Sequence, residues 1–195
     1  MGLVAGLAVI AAARVRSSAP SSAAGGALLR VAPGPAPRPA VSAGPDDLRV
    51  LRSKGLSLPL PGLEPGALRD TFGDAREGGA HEAIDIMAPR GTPVTAVEDG
   101  TVARIFRGSR GGLTVYQYDP DATYCYYYAH LDRYAPGLRE GAPVRRGDVL
   151  GYVGTTGNAP PGAPHLHFAI YRLGSPPRWW QGAAVNPFEV WRRAD

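Results

Sequence analysis

The sequence predicts a mainly β, largely antiparallel fold, and three observations support this. Glycine and proline are abundant, with 26 and 20 residues in a chain of 195, which favours short strands and turns over long helices. Apolar runs rich in β-branched and aromatic residues recur between Gly, Pro and Asp in the second half of the chain, as is typical of hairpins. The length suits one domain of ordinary size with some additional sequence.

The first 45 residues are predicted to lie outside the folded domain. Residues 2–13 form an apolar run, GLVAGLAVIAAA, which matches the core of a signal peptide and is shorter than the ~20 residues of a membrane-spanning helix. We therefore expect an exported protein of the periplasm or cell envelope, with residues 1–16 as a cleaved signal or a membrane anchor. The arginines of this segment follow the apolar run, which is unusual for both. Residues 17–45 are rich in Ala, Pro, Ser and Gly and predict a flexible linker.

The domain is expected to span residues 46–195 and to begin with one short helix. The segment DDLRVLRSKG starts at Asp46, a suitable N-cap, has leucines three apart and ends at Gly55. The runs that follow predict strands: TPVTAV, GTVARIF, LTVYQYD, TYCYYYAHL, DVLGYVG and HLHFAIYRL. GTPV at residues 91–94 recurs as GAPV at 141–144, which suggests two similar hairpin units.

Charge and cysteine content exclude several classes of function. The formal net charge is +4, but four arginines against one aspartate place +3 of it in the first 46 residues. A basic nucleic-acid surface is therefore not indicated for the domain. The single cysteine, Cys125, excludes an internal disulfide and a cysteine zinc site. Nothing in the sequence indicates an oligomeric state.

Two of the four histidines lie one residue apart in HLHFAIY. Apolar residues alternate with His165 and His167, which predicts a strand with an apolar face and a histidine face. Residues two apart on a strand are separated by about 6–7 Å of backbone rise, so both imidazoles can approach one ion or water. An ordinary polar strand surface is the alternative interpretation.

His81 precedes Asp85 by four residues in HEAIDIMAPRG. Because AIDIM alternates and proline and glycine follow closely, a loop that enters a strand is predicted instead of a helix. Asp85 then lies on the polar side of a half-buried strand. There it can serve a site, or it can cap a turn or form a salt bridge.

The fourth histidine, His130, ends a run of tyrosines. Strict alternation predicts that Tyr124, Tyr126, Tyr128 and His130 share one strand face. That face is either the floor of a substrate groove or ordinary cross-strand aromatic packing. A similar choice, between capping the core and bordering the groove, applies to the C-terminal tryptophans Trp179, Trp180 and Trp191.

Two imidazoles and one carboxylate are a three-ligand zinc set. Catalytic zinc commonly has three protein ligands of His and Asp or Glu type and leaves a fourth position to water. Two histidines would remain for acid–base work on the water and for stabilising the oxyanion.

Four motifs carry a family resemblance: His81-x-x-x-Asp85 followed by APRGTPVTAVEDGTV, then YYAHL, GAPVRRGDVLGYVGTTG and PHLHF. In this order they resemble the lysostaphin-type, or LytM-type, zinc metallopeptidases, over about residues 71–173. The resemblance implies an antiparallel β-sheet domain with a long groove, built from two barrel-like hairpin halves. It also implies one zinc held by His81, Asp85 and His167, with His165 and His130 as catalytic residues that do not bind the metal.

The reaction implied by the resemblance is hydrolysis of peptide bonds in bacterial cell-wall peptidoglycan. Zinc would polarise the scissile carbonyl and activate a water, His165 would take the proton of the water, and His130 would stabilise the tetrahedral oxyanion. One residue departs from the family, which usually has glycine two residues after the first ligand, where this chain has Ala83. We expect the ligand loop to survive this small change, and Glu82 can add a carboxylate near the metal.

Three other interpretations of the sequence compete with this one. A non-catalytic domain of the same fold, which binds cell wall or activates an amidase, is disfavoured because such domains lack ligands that are present here. A lipoyl- or biotinyl-type carrier, suggested by VRRGDVLG, needs a lysine, and the only one, Lys54, lies outside the predicted sheet. A nucleic-acid binder that stacks bases on TYCYYY is disfavoured by the near-neutral charge of the domain.

Overall fold

The structure is a computed structural model that describes residues 44–76 and 79–192. The predicted signal or anchor segment, and the linker up to residue 43, lie outside these ranges. Within them, no helix has the length and apolar character needed to cross a lipid bilayer.

Helix α1 (Pro45–Lys54) opens the described chain. Gly44 is its N-cap, so the prediction that Asp46 caps the helix is wrong. Pro45 fits the first helical position because the N–H that it lacks has no partner in the helix there. The carboxylate of Asp47 accepts a hydrogen bond from the backbone N–H of Gly44, at 3.3 Å, and caps the helix from inside its first turn. Gly55, with φ at 59°, ends the helix as predicted.

Beyond a 3₁₀ turn at Pro65–Ala67, the described chain forms strands and one further helix. In chain order these are β1 (Ala75–Arg76), β2 (Gly79–Ala80), β3 (Ile84–Met87), β4 (Pro93–Thr95), β5 (Gly100–Gly108), β6 (Gly112–Tyr118), β7 (Tyr124–Tyr134), β8 (Pro143–Val144), β9 (Val149–Val153), β10 (His165–Arg178), β11 (Gln181–Val185) and α2 (Pro187–Trp191). Each run that was predicted as a strand contains one. The short pair β1–β2, strand β11 and helix α2 were not predicted.

Nine strands form one antiparallel sheet with the order β11-β10-β7-β6-β5-β8, and β1 and β2 form a separate ladder. Strand β10 pairs with β7 along one edge and with β3 and then β11 along the other. Strand β9 pairs with β7 and β4. The mainly β, antiparallel fold is therefore confirmed. Strand β10 connects β3, β7 and β11 within the sheet, because it pairs with all three.

The GTPV and GAPV segments open equivalent short strands. Strand β4 begins at Pro93 and pairs with β9, whereas β8 begins at Pro143 and pairs with β5. GTPV is followed along the chain by β5, and GAPV is followed by β9. Each short strand therefore pairs with the longer strand that follows the other short strand. This exchange of partners is the two-unit arrangement that the repeated tetrapeptide suggests.

The sheet separates two apolar clusters. Strand β10 buries Leu166, Phe168 and Ile170 completely in the main core. The alternate residues, Ala169 and Tyr171, face a smaller cluster on the opposite side. The histidines of β10 lie on this second side, as the sequence pattern predicts.

Candidate metal centre

The register of β10 brings one predicted ligand directly beside another. His167 is paired across the strands with Asp85 of β3 and, on its other edge, with Ala129 of β7. Opposed residues of an antiparallel pair have Cβ atoms about 4.5–5.5 Å apart on the same face. Two distant parts of the sequence therefore place an imidazole and a carboxylate in contact through backbone pairing alone.

His81 reaches the same point from the loop before β3. Its backbone N–H donates to the carbonyl of Asp74 at 3.0 Å, and its ring Nδ1 lies 2.9 Å from the carbonyl oxygen of Thr71. A carbonyl only accepts, so Nδ1 of His81 carries the ring proton. In the neutral ring, Nε2 then presents a lone pair to the site.

Three atoms form a nearly equilateral triangle. Nε2 of His81 lies 3.0 Å from Nδ1 of His167, and each nitrogen lies 3.1 Å from Oδ1 of Asp85. Among the described residues this is the only group of three or more His, Cys, Asp or Glu side chains with the spacing of a metal site. The structure thus brings together the three residues predicted as ligands.

A metal ion fits this triangle better than hydrogen bonding does. The ring proton of His81 is held at Thr71, so the triangle has at most one N–H, on His167, when both rings are neutral. One proton cannot satisfy three short edges, and lone pairs meet between His81 and Asp85. A point about 2.0–2.1 Å from all three atoms, the length of zinc–nitrogen and zinc–oxygen bonds, lies just above the triangle. Two imidazoles and one carboxylate are also the donor types that zinc accepts.

The two remaining histidines line the same site. Nε2 of His165 lies 3.8 Å from Oδ1 of Asp85, and its Nδ1 lies 2.8 Å from the carbonyl of Ala163. Nδ1 of His130 lies 2.8 Å from the carbonyl of Thr156, and its ring centroid lies 4.9 Å from that of His165. Each carbonyl fixes the proton on Nδ1, so each neutral ring carries its lone pair on Nε2.

His130 reaches the site because the backbone breaks the alternation of β7. Its φ of 59° is left-handed, and the register against β6 and β9 shifts around it. The prediction that the tyrosines share its face is therefore wrong. Tyr124, Tyr126 and Tyr128 are at most 2% exposed in the main core, so the groove-floor interpretation fails for them. It is Tyr127 whose ring lies 5.8 Å from that of His167.

Burial governs the protonation of the site. Burial, with a smaller effect of His167, lowers the pKa of His130 to about 4, and burial also lowers the pKa of His167. Burial alone would raise the pKa of Asp85, but the adjacent imidazoles of His167 and His81 outweigh it and hold that pKa well below its usual range. Near pH 7, His130 and His167 are therefore neutral and Asp85 is ionised.

The residues between His81 and Asp85 show how the loop tolerates alanine. Left-handed backbone occurs at Glu82, with φ at 54°, and not at Ala83. Ala83 is fully buried in the smaller cluster. No positive φ is required at the position where the family usually has glycine, which explains why a methyl group fits there.

The tryptophans have different surroundings, and the core-capping role is seen for Trp191. Trp191 packs on Phe168 with ring centroids 5.4 Å apart and caps the main core. Trp179 lies 4.7 Å from Tyr116 on the side of the sheet that holds the histidines, and the adjacent Trp180 is 42% exposed.

Sequence reasoning missed the residues that orient the site. Thr71, Thr156 and Ala163 act through backbone carbonyls, which carry no side-chain signal. Arg76 donates to Oδ2 of Asp85 at 2.9 Å, and a single arginine before the first ligand does not stand out in the sequence.

Comparison with known proteins assigns the family. The model of peptidase family M23 matches residues 79–187. An L-Ala–D-Glu endopeptidase of Bacillus subtilis is 37% identical over 131 residues, which are 63% of this chain and 40% of that protein. The peptidoglycan DD-endopeptidase ShyC of Vibrio cholerae is 36% identical over 89 residues, 46% of this chain and 19% of that protein. The chain thus spans less than half the length of these curated relatives.

The solved structures agree with this assignment at the level of the fold. The catalytic domain of lysostaphin from Staphylococcus simulans superposes with a TM-score of 0.52 at 22% identity, over 74% of this chain and 96% of that chain. The family match spans more than half of the sequence, and it contains the four motifs that carry the resemblance to lysostaphin-type enzymes. The chain belongs to peptidase family M23.

Proposed function

We propose that this chain is a zinc-dependent metalloendopeptidase that hydrolyses peptide bonds in the peptidoglycan of bacterial cell walls. The observation that carries the proposal is the triangle of His81 Nε2, Asp85 Oδ1 and His167 Nδ1, with edges of 3.0–3.1 Å. Family membership supports the reaction, and the names of the relatives support the substrate. Action on cell wall would place the protein outside the cytoplasm, in agreement with the predicted export signal.

His81, Asp85 and His167 would hold one zinc ion. Bound there, zinc would supply polarisation of the scissile carbonyl and a lowered pKa, near 7, for a water in the fourth position. Burial favours the neutral ring of His167, and the carbonyl of Thr71 holds the ring proton of His81 on Nδ1, so that the lone pair of Nε2 faces the site. This preparation reduces the rearrangement that metal binding requires.

His165 is the proposed general base. Its Nε2 lone pair faces the site, 3.8 Å from Oδ1 of Asp85, and the carbonyl of Ala163 keeps the ring in this orientation. The ring would take a proton from the attacking water and then deliver it to the amine that leaves. His165 is only 7% exposed, which limits competition from bulk water.

His130 is the proposed partner of His165, but its geometry constrains its role. With Nδ1 bonded to Thr156, the neutral ring has no N–H directed at the site. Stabilisation of an oxyanion by His130 therefore requires that the ring first gains a proton on Nε2. The low pKa of His130 makes such a proton short-lived and easily passed on.

The proposal is tested by incubating the purified full chain with purified peptidoglycan, with and without a chelator. We expect release of new amino groups that stops in excess chelator and returns with added zinc. Mass spectrometry of the fragments identifies the bond that is cleaved. His165→Ala should keep its zinc and lose turnover by on the order of 10²–10⁴, the worth of a positioned base.

Two outcomes would contradict the proposal. A chain that binds zinc and peptidoglycan but releases no fragments would be a non-catalytic cell-wall domain. Wild-type turnover in His165→Ala would place the base elsewhere, with His130 or Glu82 as the next candidate.

A further inference from the structure

The short segment from Thr71 to Arg76 contacts two of the proposed ligands and precedes the residues that the family model matches. The carbonyl of Thr71 orients His81, and its hydroxyl oxygen accepts the backbone N–H of Asp85 at 3.1 Å. Arg76 donates from Nη2 to Oδ2 of Asp85 at 2.9 Å. This segment therefore supports the site from outside the metal-binding triangle.

The two carboxylate oxygens of Asp85 have separate partners. Oδ1 completes the triangle with His81 and His167, whereas the guanidinium of Arg76 contacts Oδ2. An aspartate can bind a metal through one oxygen or through both. A charged hydrogen bond to Oδ2 disfavours the two-oxygen mode, because that oxygen would have to leave the guanidinium.

Backbone pairing fixes Arg76 at this position. Arg76 is paired with Gly79 in the β1–β2 ladder, which leads directly into His81. The backbone N–H of Glu82 donates to the carbonyl of Phe72 at 3.0 Å and closes the same loop. The arginine and the histidine ligand thus belong to one small hydrogen-bonded unit.

We propose that Arg76 is a positioning residue of the metal centre, which holds Oδ2 of Asp85 so that only Oδ1 serves as a donor and a coordination position stays open for water. This role rests on the proposed function, since it requires that the triangle binds metal. The salt bridge is partly exposed, with 45% of the Arg76 side chain accessible, so its contribution to folding is small. Its effect is on the geometry of Asp85.

The test compares Arg76→Ala, Arg76→Lys and the control Arg52→Ala in the full chain. Arg52 is a matched control, because its side chain is 44% exposed and forms a salt bridge with Glu189 of helix α2. Zinc affinity is measured by competition with a chromophoric chelator. Cobalt(II), added to the metal-free protein, reports coordination number, because four-coordinate cobalt absorbs visible light much more strongly than five-coordinate cobalt.

We expect Arg76→Ala to bind zinc 10–100-fold more weakly, the usual effect of losing a partner of a metal ligand. Its cobalt complex should absorb more weakly than that of the wild type, because Asp85 is free to bind through both oxygens. Arg76→Lys, which keeps a charged donor, should recover most of both properties, and Arg52→Ala should match the wild type.

Wild-type zinc affinity and cobalt absorption in Arg76→Ala would overturn the positioning role and leave the proposed function intact. Equal losses in Arg76→Ala and Arg52→Ala would also overturn it, since they would indicate general destabilisation. A wild-type chain that binds neither metal would contradict the proposed function itself, and the role of Arg76 with it.

Discussion

Two residues at the site, Glu82 and His130, adopt left-handed backbone angles although neither is glycine. This conformation costs roughly 1–2 kcal/mol for an L-residue with a side chain. At His130 it turns the imidazole to the side of the sheet that holds His165 and His167, and it returns Leu131 to the main core. The strain at His130 therefore has a direct use, because regular alternation would bury its ring among the tyrosines.

At Glu82 the left-handed angle predicts opposite effects of glycine at adjacent positions. Glu82→Gly should stabilise the protein by about 0.5–1 kcal/mol because glycine adopts this angle without steric cost. Ala83→Gly should destabilise it by about 1 kcal/mol, because a buried methyl is lost and the unfolded chain gains freedom. Urea denaturation of the two variants beside the wild type measures both effects. Equal signs for the two would contradict the assignment of the strain to Glu82.

Among the elements, helix α1 is attached to the sheet by two polar networks. Nζ of Lys54 contacts Glu98 at 2.9 Å and Asp119 at 3.0 Å. Near the other end of the helix, Asp47 accepts a hydrogen bond from the hydroxyl of Tyr124 at 2.9 Å and contacts Arg172. The only lysine of the chain therefore serves to attach the helix.

Two tryptophans near the C-terminus, Trp180 and Trp191, should contribute very differently to the free energy of unfolding. Trp191 of α2 packs on the main core and donates from its indole N–H to the carbonyl of Leu56 at 2.9 Å. Trp191→Ala should therefore cost about 2–4 kcal/mol, whereas Trp180→Ala should cost less than about 1 kcal/mol because much of its ring is exposed. Denaturant unfolding of both variants decides this. Similar losses in the two would mean that Trp180 also caps the core.

Elements with regular alternation could be predicted from the sequence, and those held by pairing alone could not. Strands β5, β6 and β10 lie in apolar runs that predict them, and the two faces of β10 are as predicted. Strand β11, QGAAV, has little intrinsic strand preference and depends on its register with β10, as in the pairs Ile170–Val185 and Leu173–Gly182. The grouping of His81, Asp85 and His167 followed from the motif resemblance, whereas Arg76 depends on a tertiary contact with no sequence signal.

Across the whole molecule, buried tyrosine hydroxyls connect the sheet to its surroundings. Tyr124 donates to Asp47, Tyr126 to Glu98 and Tyr128 to Gln117. Burial, aided by the hydrogen bond to Asp47, raises the pKa of Tyr124 to about 12. Burial raises the pKa of Tyr126 and of Tyr128 further above the ordinary value.

These raised pKa values predict loss of stability in alkali. The folded state keeps the hydroxyl protons while the unfolded state releases them above a pKa of about 10, so the stabilising contribution is complete below pH 10 and falls as the pH rises further. Each such tyrosine should lower the free energy of unfolding by about 1.4 kcal/mol per pH unit above pH 10. Urea denaturation between pH 8 and 11 measures the slope. Tyr126→Phe should show a shallower decline, and a free energy that stays constant to pH 11 in the wild type would contradict the prediction.

The central claim is that one zinc ion is held by His81, Asp85 and His167, and metal content measured on the wild type beside His167→Ala tests it most directly. The wild-type chain, purified and dialysed against zinc-free buffer, should retain one zinc per chain by elemental analysis, because the described residues supply one such triangle. His167→Ala should retain almost none, since two protein ligands hold zinc poorly. Full zinc occupancy in His167→Ala, or none in the wild type, would contradict the claim.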